Sequence, residues 1–294
     1  MIPNAVAVIN GKGGTGKTSV VANVAGLAAA AGYRVLTVDL DPQGNLGRDL
    51  GYLQGQGNDA AAAPLMAALS GHVALDPIKD TRERLDSVAG GEELEDWAPL
   101  ASSWRSRGRH PETALEEALS GVAARYNLIL IDCPPGNREL QLLAMYSAQF
   151  AVIPTKPDEA SLDGMVRVAR LFDTVRGHNP NLELLGVILF GIESRAHRVR
   201  AEARDQVQRE LGDAQLVFTA EIRHLMAPSR DSRARGQLAH EYEETVLAAP
   251  KFYEPGGRTE RLAASAPGLA GDYQAVTSEL LHRMQTASRV AVSA

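Results

Sequence analysis

The most informative stretch of this sequence leads from an apolar segment into a glycine-rich turn and reads Ala5-Val6-Ala7-Val8-Ile9-Asn10-Gly11-Lys12-Gly13-Gly14-Thr15-Gly16-Lys17-Thr18. Its glycines and its final Lys17-Thr18 pair satisfy the pattern G-x-x-x-x-G-K-[ST] of a phosphate-binding loop. Such a loop needs a strand before it and a helix after it. The apolar run and the Ala- and Val-rich stretch that follows the motif meet both requirements. The sequence therefore predicts a P-loop.

The spacing of the loop has a chemical reason. Glycines let consecutive backbone N–H groups turn toward phosphate oxygens, and the new helix adds the partial positive charge of its N-terminus. We expect Lys17 to reach the β- and γ-phosphates and the Thr18 hydroxyl to ligate Mg²⁺. The residues expected to contact the nucleotide are Gly11, Lys12, Gly13, Gly14, Thr15, Gly16, Lys17, Thr18 and Ser19.

Two further apolar runs end in carboxylates. Leu128-Ile129-Leu130-Ile131-Asp132 has the Walker B arrangement, in which Asp132 is expected to hold Mg²⁺ through water. Val38-Asp39-Leu40-Asp41 places carboxylates at alternate positions, and the Pro42 and Gly44 that follow restrict the turn. The alternative for both segments is a purely structural role, because a strand-ending aspartate also caps turns.

Composition narrows the class of protein. The chain has 294 residues, 45% of them hydrophobic and 22% charged, with a net charge of −6 and a single cysteine, Cys133. One cysteine cannot form an intrachain disulfide or a cysteine-based metal cluster. The first predicted strand begins within a few residues of Met1, and no run approaches the roughly 18 apolar residues of a membrane span. We expect a cytoplasmic protein with no membrane contact.

Strand-like and helical segments alternate along the chain. Strands are predicted at 5–10, 35–39, 85–89, 128–132, 150–154, 184–190 and 216–221. Helices are predicted at 17–31, 63–70, 113–125, 138–147, 161–176, 196–211 and 272–287. This alternation predicts an α/β fold, a doubly wound and mostly parallel sheet with helices on both faces. Residues 1–294 are expected to form one domain, with a loop at 51–62 over the nucleotide face, an irregular excursion at about 241–271 and a C-terminal helix at about 272–287.

Lys12 and the two carboxylate segments resemble a known family. The loop Lys12-Gly13-Gly14-Thr15-Gly16-Lys17-Thr18 resembles the deviant Walker A motif of the ParA/MinD family of ATPases, whose early lysine reaches the nucleotide of a partner subunit. Asp39-Leu40-Asp41-Pro42-Gln43-Gly44-Asn45 matches the D-x-D-P-Q-G-N switch I of the ParA branch, and Asp132-Cys133-Pro134-Pro135 matches the D-x-P-P switch II. By this resemblance Asp41 positions the hydrolytic water, Asp39 supports the Mg²⁺ shell, and Lys12, Lys17 and Asp41 are catalytic.

The family pattern breaks at the end of the site that holds the base. Relatives often carry Asn or Thr after the sixth strand, where this chain has Gly191. Many read I-P-R where this chain has Ile222-Arg223-His224 without the proline. The residues that contact adenine are therefore left open.

The resemblance implies a ParA-like ATPase with ATP and Mg²⁺ as cofactors. Such a protein forms an ATP-dependent homodimer, binds double-stranded DNA without sequence preference on the nucleoid, and drives plasmid or chromosome partition. A ParB-like partner stimulates its slow hydrolysis. The first alternative is a MinD-like or cargo-positioning ATPase, although the C-terminal segment 279–294 has few cations and no aromatic residue and makes a poor membrane anchor. The second alternative is an ATP-dependent synthetase that acts on a small molecule.

An arginine-rich region supports the DNA hypothesis despite the acidic net charge. Arginines on the predicted helix 196–211 and on the cluster 230–235 are suited to phosphate contacts that read no bases. The alternative is a solvated surface of Glu–Arg pairs. The residues predicted to contact DNA are Arg198, Arg200, Arg204, Arg230, Arg233 and Arg235.

Overall fold

The computed structural model describes residues 1–52, 63–193, 196–250 and 262–293. The strands within these ranges are β1 (Ile2–Val8), β2 (Val35–Asp39), β3 (Ile78–Arg82), β4 (Leu85–Val88), β5 (Leu128–Asp132), β6 (Ala148–Thr155), β7 (Glu183–Ile192) and β8 (Ile222–Arg223). The α-helices are α1 (Lys17–Ala30), α2 (Asn45–Asp49), α3 (Ala63–Leu69), α4 (Trp97–Ser106), α5 (Ala114–Leu119), α6 (Arg138–Ser147), α7 (Glu159–Val175), α8 (His197–Leu211), α9 (Met226–Ala234), α10 (Ala239–Ala248) and α11 (Ala266–Ser293).

The strands form one eight-stranded sheet in the order β3-β4-β2-β5-β1-β6-β7-β8. Among the strands of the described ranges, only the β3–β4 pair at one edge is antiparallel, and the remaining pairs are parallel. Every residue of β2 and β5 is buried, as expected for parallel strands covered on both faces. The P-loop follows β1 in the middle of the sheet.

Both faces of the sheet carry helices. Successive side chains of a strand point to opposite faces, so Ala5 and Ala7 of β1 pack in one core and Val6 and Val8 in the other. The first core is completed by α3 to α8, and the second by α1, α2, α10 and α11. The predicted doubly wound, mostly parallel α/β fold is confirmed.

The strand predicted at 216–221 is wrong. Val217 makes a single bridge to Val187, and regular pairing with β7 begins only at Ile222. The backbone N–H groups of Thr219 and Ala220 instead donate to the carboxylate of Glu279 on α11, at 3.0 and 2.8 Å. A side chain distant in sequence therefore takes the hydrogen bonds that a neighbouring strand would have received.

Two helical boundaries also need correction. The helix predicted at 113–125 ends as α5 at Leu119, and the chain passes Gly121 before a separate 3-10 turn at Ala123–Arg125. The excursion predicted at 241–271 is helical at both ends, because α10 buries Tyr242 and α11 already begins at Ala266. Pro267 does not interrupt α11, because proline is tolerated in the first turn of a helix.

Some elements have no counterpart among the predicted segments. They are the antiparallel strand β3, the short strand β8 and the helices α2, α4, α9 and α10. Most of the loop predicted at 51–62 lies outside the described residues, as does the middle of the excursion at 251–261.

Candidate phosphate-binding site

The glycine-rich loop connects β1 directly to α1. Gly16 stands just before α1 with φ +90°, a left-handed conformation that glycine adopts without penalty. A Cβ atom at Gly16 would lie 2.3 Å from the ring of Phe190. Conformation and space thus both require glycine here, and the backbone is held in the bend that a P-loop needs.

Asn10 anchors the start of the loop. Its buried amide donates to the carbonyl oxygen of Pro154 at the end of β6 (2.9 Å), and its Oδ1 accepts from the N–H of Lys12 (2.9 Å). The same amide approaches the carbonyl of Ser161 in α7 at 3.4 Å. The P-loop is therefore fixed to β6 and α7. The sequence alone does not reveal this anchor, because its partners are distant in the chain.

The two lysines of the loop have different environments. Lys17 is 5% exposed, and its Nζ donates to the carbonyl oxygen of Lys12 at 3.1 Å. Burial lowers the pKa of Lys17, while Asp132 acts in the opposite direction. The side chain of Lys12, by contrast, is exposed. The lysine predicted to serve its own phosphates faces the interior, and the lysine predicted to act on a partner faces outward.

Asp39 and Asp132 end neighbouring strands and are paired in register on β2 and β5. Asp39 is fully buried and accepts hydrogen bonds from the N–H groups of Asp41 (2.9 Å) and Leu46 (3.2 Å). Asp41 is 7% exposed and accepts from the N–H of Gln43 at 2.9 Å. Asp39 thus fixes the turn. Asp41 is held beside it, at the carboxyl-terminal end of the strands from which the P-loop also leaves.

Asp132 is a buried carboxylate whose two oxygens have no hydrogen-bond partner among the described residues. Burial raises the pKa of Asp132 to about 7, against the opposing effects of the nearby Thr18 hydroxyl and the Lys17 ammonium. The pKa of Asp39 is raised well above its ordinary range, first by burial and then by Asp132. Carboxylates in this state favour a cation. Within the described ranges, no group of three or more His, Cys, Asp or Glu side chains is placed to hold a metal ion by itself.

Two cavities are lined in part by Phe190, whose ring lies beside Gly16 of the loop. One has a volume of about 510 Å³ and includes Gly191 and His224, the positions where the family pattern breaks. The other, of about 350 Å³, is lined by Ser19 and Arg230 among others. Phe190 and Tyr273 border both cavities. The space next to the P-loop is therefore aromatic and partly cationic.

The arginines predicted to contact DNA divide into two groups. On α8, Arg198 pairs with Glu202 at 2.7 Å, and Arg200 pairs with Glu221 through Nε at 2.8 Å. The third, Arg204, donates to the backbone carbonyl oxygen of the buried Phe218 at 3.1 Å. The geometry of α8 therefore matches the alternative of a structural, salt-bridged helix.

The second group lies on α9 and in the turn after it. The side chain of Arg230 is 83% exposed beside Asp231, and that of Arg233 is 50% exposed while it pairs with Asp49 at 2.6 Å. Arg235 is half-buried in the turn. Arg230 and Arg233 share one short helix and reach solvent.

Comparisons with known proteins agree with this geometry. A family profile described as an AAA domain, AAA_31, matches residues 4–184. The chromosome partitioning protein ParA of Myxococcus xanthus is 32% identical over 211 residues, which cover 70% of this chain and 72% of that protein. The sporulation initiation inhibitor protein Soj of Bacillus subtilis is 30% identical over 247 residues, 79% of this chain and 92% of that protein.

Solved structures show the same architecture. Apo McdA of Cyanothece superposes with a TM-score of 0.73 at 18% identity, over 94% of this chain and 99% of that one, a likeness of fold alone. Cobyrinic acid a,c-diamide synthase of Mycobacterium smegmatis with bound ADP and magnesium superposes with a TM-score of 0.66 at 25% identity, over 84% and 94% of the two chains. In the part of the chain that the structure describes, no helix is long and apolar enough to cross a membrane.

Proposed function

Since the chain belongs to the ParA/Soj family of partition ATPases, we propose that it is a nucleotide-driven switch for DNA partition. It dimerises on ATP, binds double-stranded DNA without sequence preference, and releases it when a ParB-like partner stimulates hydrolysis. The cargo is a plasmid or a chromosome, and the protein works on the nucleoid in the cytoplasm. One observation carries the proposal. The P-loop, its buried lysine and the carboxylates of two neighbouring strands meet at the carboxyl-terminal ends of the central strands.

Lys17 is the cation for the nucleotide's own phosphates. Its Nζ is already inside the loop, where it donates to the carbonyl of Lys12. A buried ammonium with a lowered pKa gains from an anionic partner, because burial disfavours the charged form until it is paired. The N-terminus of α1, which begins at Lys17, adds its dipole to the same site.

Thr18, Asp39 and Asp132 would hold Mg²⁺ together with the phosphates of ATP. The buried carboxylate of Asp132 fits this role, because its pKa stays raised despite the nearby Thr18 hydroxyl and Lys17 ammonium, so a further cation would stabilise its charged form. Asp39 already accepts backbone hydrogen bonds, so it contributes charge and fixes the turn. Bound Mg²⁺ would neutralise the negative charge that develops on the transferred phosphoryl group.

Asp41 would orient the water that attacks the γ-phosphate. The hydrogen bond from the N–H of Gln43 leaves its second oxygen for such a contact. A carboxylate accepts a hydrogen bond from water and also repels the phosphate. Slow hydrolysis follows from this opposition, and slow hydrolysis suits a switch that must remain assembled until a partner acts.

Lys12 would reach the nucleotide of the second subunit. Its exposed side chain leaves the loop while its backbone stays fixed by Asn10. In the same chain the phosphates are already served by Lys17. An ATP-dependent homodimer is the arrangement in which the outward lysine has a function.

DNA would bind α9 rather than α8. On α8, Arg200 and Arg204 hold Glu221 and a core carbonyl, so using these two for DNA would break part-buried hydrogen bonds, whereas Arg198 is 91% exposed beside Glu202. The ion pairs of Arg230 and Arg233 on α9, with Asp231 and Asp49, leave more of each side chain in solvent than the ion pair of Arg200 does. On α9, Arg230 is mostly exposed, and Arg233 has half of its side chain in solvent. Arg235, in the adjoining turn, completes the proposed patch.

The nucleotide part of the proposal is tested by calorimetry with ATP and Mg²⁺. Lys17→Ala should reduce ATP affinity at least about thirtyfold, the cost of removing one partner of a buried charge pair. Lys79→Ala is the matched control, since it deletes an exposed lysine that pairs with Asp86 on the β3–β4 hairpin. Equal affinity for Lys17→Ala and the control would refute the P-loop assignment.

The DNA part is tested with two triple variants of equal charge change. Replacing Arg230, Arg233 and Arg235 by Ala should leave ATP-dependent dimerisation intact and abolish DNA binding. The slope of log affinity against log salt should flatten by roughly 0.7–0.9 for each phosphate that is left without its arginine. The matched triple variant replaces Arg198, Arg200 and Arg204. If only that variant fails to bind DNA, the patch lies on α8. If the wild-type protein with ATP ignores DNA at low salt, a role in positioning membrane or protein cargo replaces partition.

A further inference from the structure

Asp49, the last residue of α2, joins the P-loop helix to α9. It is 7% exposed. Its Oδ2 accepts a hydrogen bond from the hydroxyl of Ser19 (3.2 Å), in the first turn of α1. Its Oδ1 forms an ion pair with Nε of Arg233 on α9 at 2.6 Å. One buried carboxylate therefore contacts both the residue that follows Thr18 and the helix that carries the exposed arginines.

Arg82 on β3 makes a second connection between the same elements. One guanidinium nitrogen donates to the carbonyl oxygen of Leu50 (2.7 Å), just after α2, and another to that of Gly236 (2.9 Å), in the turn after α9. The guanidinium also pairs with Glu241 of α10 at 2.5 Å. Planar guanidinium groups hold several acceptors in fixed directions, so the end of α2 and the turn after α9 are kept in register.

The backbones themselves meet at the same place. A Cβ atom at Gly51 would lie 2.8 Å from the carbonyl oxygen of Gly236. Both glycines have positive φ, +75° and +60°. The end of α2 therefore touches the turn after α9 with no side chain in between, and a shift of one is passed to the other.

The beginning of α2 is attached to the switch carboxylates. The N–H of Leu46 donates to Asp39 at 3.2 Å, and the turn before it is closed by the hydrogen bond from Gln43 to Asp41. Since α2 contains only five residues, its two ends cannot move independently. Any rearrangement of Asp39 or Asp41 is carried to Asp49 and on to α9.

We propose that Asp49 is a positioning residue that makes the orientation of α9, and the presentation of its arginines to DNA, depend on the nucleotide state. This rests on the proposed function, because it requires a nucleotide in the P-loop and DNA on α9. Asp49 lines the cavity of about 350 Å³ together with Ser19 and Arg233. It acts through Ser19 on one side and Arg233 on the other.

Hydrogen exchange measured by mass spectrometry tests the proposal without DNA. Exchange in the α9 peptide of the full chain is compared with the β,γ-imido analogue of ATP plus Mg²⁺ and with ADP plus Mg²⁺. In the wild type the two nucleotides should give different protection of α9. In Asp49→Asn, which keeps the shape and loses the ion pair, the difference should shrink about fivefold or more, the lower range of allosteric coupling. Arg82→Lys, which keeps the charge and loses the fork, should shrink it as well.

Asp231→Asn is the matched control. It removes the same charge from α9 itself, but the contacts of Asp231 are to Arg230 and to the hydroxyl of Tyr242 on α10. It should respond to nucleotide as the wild type does. If Asp49→Asn and Arg82→Lys also respond like the wild type, the inference is overturned. If calorimetry shows no binding of the analogue to the wild type, the proposed function fails and the inference falls with it.

DNA affinity supplies a readout that a simple charge effect would move in a different way. Asp49→Asn removes a negative charge and frees Arg233, so electrostatics alone would raise DNA affinity equally with the analogue and with ADP. A positioning role instead predicts that Asp49→Asn lowers the ratio of the DNA affinity with the analogue to the DNA affinity with ADP, by about fivefold. An unchanged ratio contradicts the inference. If α9 responds to nucleotide and DNA does not bind, the coupling of α9 to the nucleotide stands, and the presentation of its arginines to DNA falls together with the DNA part of the proposed function.

Discussion

Asp132→Asn is expected to stabilise the protein in the absence of nucleotide and Mg²⁺, although it removes a residue that we assign to the Mg²⁺ site. Asp132 is fully buried, its carboxylate oxygens have no partner in the described ranges, and burial raises its pKa from the ordinary 3.8 to about 7. A charge at this position therefore opposes folding until a cation arrives. Functional sites commonly reduce stability in this way.

The sign and size of the effect follow from the pKa. In the unfolded chain Asp132 ionises near 3.8, whereas in the folded protein it keeps its proton up to about 7. The part of the free energy of unfolding that depends on the protonation of Asp132 is therefore fully present below about pH 4. It is lost as the pH rises through about 7, by at most about 4 kcal/mol. The Asn amide carries no charge but needs partners of its own, at a cost of about 1–3 kcal/mol. We expect a net gain of about 1–3 kcal/mol at pH 8.

Urea unfolding with a chelator present, followed by tryptophan fluorescence, measures this gain at pH 8 and at pH 5. The buried Trp97 and Trp104 on α4 report on the fold at a distance from the substitution. The gain should be smaller at pH 5. Asp86→Asn is a control of opposite sign, since burial raises the pKa of Asp86 but hydrogen bonds led by the Tyr126 hydroxyl lower it overall. Equal or lower stability of Asp132→Asn at pH 8, or a gain that does not change with pH, would refute the reasoning.

Two further substitutions test the assigned roles, and a third tests whether the ring of Phe190, which borders both cavities, stacks on the adenine base. Lys12→Ala should leave ATP affinity nearly unchanged and abolish the ATP-dependent dimer in light scattering, because Lys17 already serves the chain's own phosphates. Asp41→Ala should bind ATP and dimerise while turnover falls roughly a hundredfold, the scale of a missing acid–base group, and normal phosphate release would move that role elsewhere. Phe190→Ala should weaken ATP roughly tenfold, as removal of base stacking does, and leave the affinity for inorganic tripolyphosphate unchanged, whereas Phe190→Tyr should retain both.

The central sheet and the phosphate end of the site could be predicted from the sequence. A P-loop specifies residue types at fixed local spacing, so Lys17 is identified without any knowledge of tertiary contacts. Buried parallel strands are equally predictable, because the nearly continuous apolar runs before Asp39 and Asp132 are typical of strands that are covered on both faces. The adjacency of these two strands is not among the predictions, and the register of β2 and β5 shows that Asp39 and Asp132 lie side by side.

What could not be predicted depends on contacts between distant segments. The segment before β8 looks like a strand until Glu279 takes its backbone N–H groups. Asn10 and Asp49 are ordinary polar residues in the sequence, and only their partners 144 and 30 positions away reveal what they do. The composition of α10 conceals its packing, because charged residues surround the buried Tyr242.

The raised pKa values in the site and the contacts of α2 meet at one residue, Asp39. Asp39 both faces the charge of Asp132 and holds the N–H of Leu46 at the start of α2. The buried carboxylate that anchors α2 is therefore one whose charged form is disfavoured, first by burial and then by Asp132. Binding a cation at these carboxylates would relieve that repulsion, and ligands that bind only one state shift populations by their difference in affinity. In the mechanism that we propose, the charges that make the free site unstable also supply free energy for the reorientation of α9.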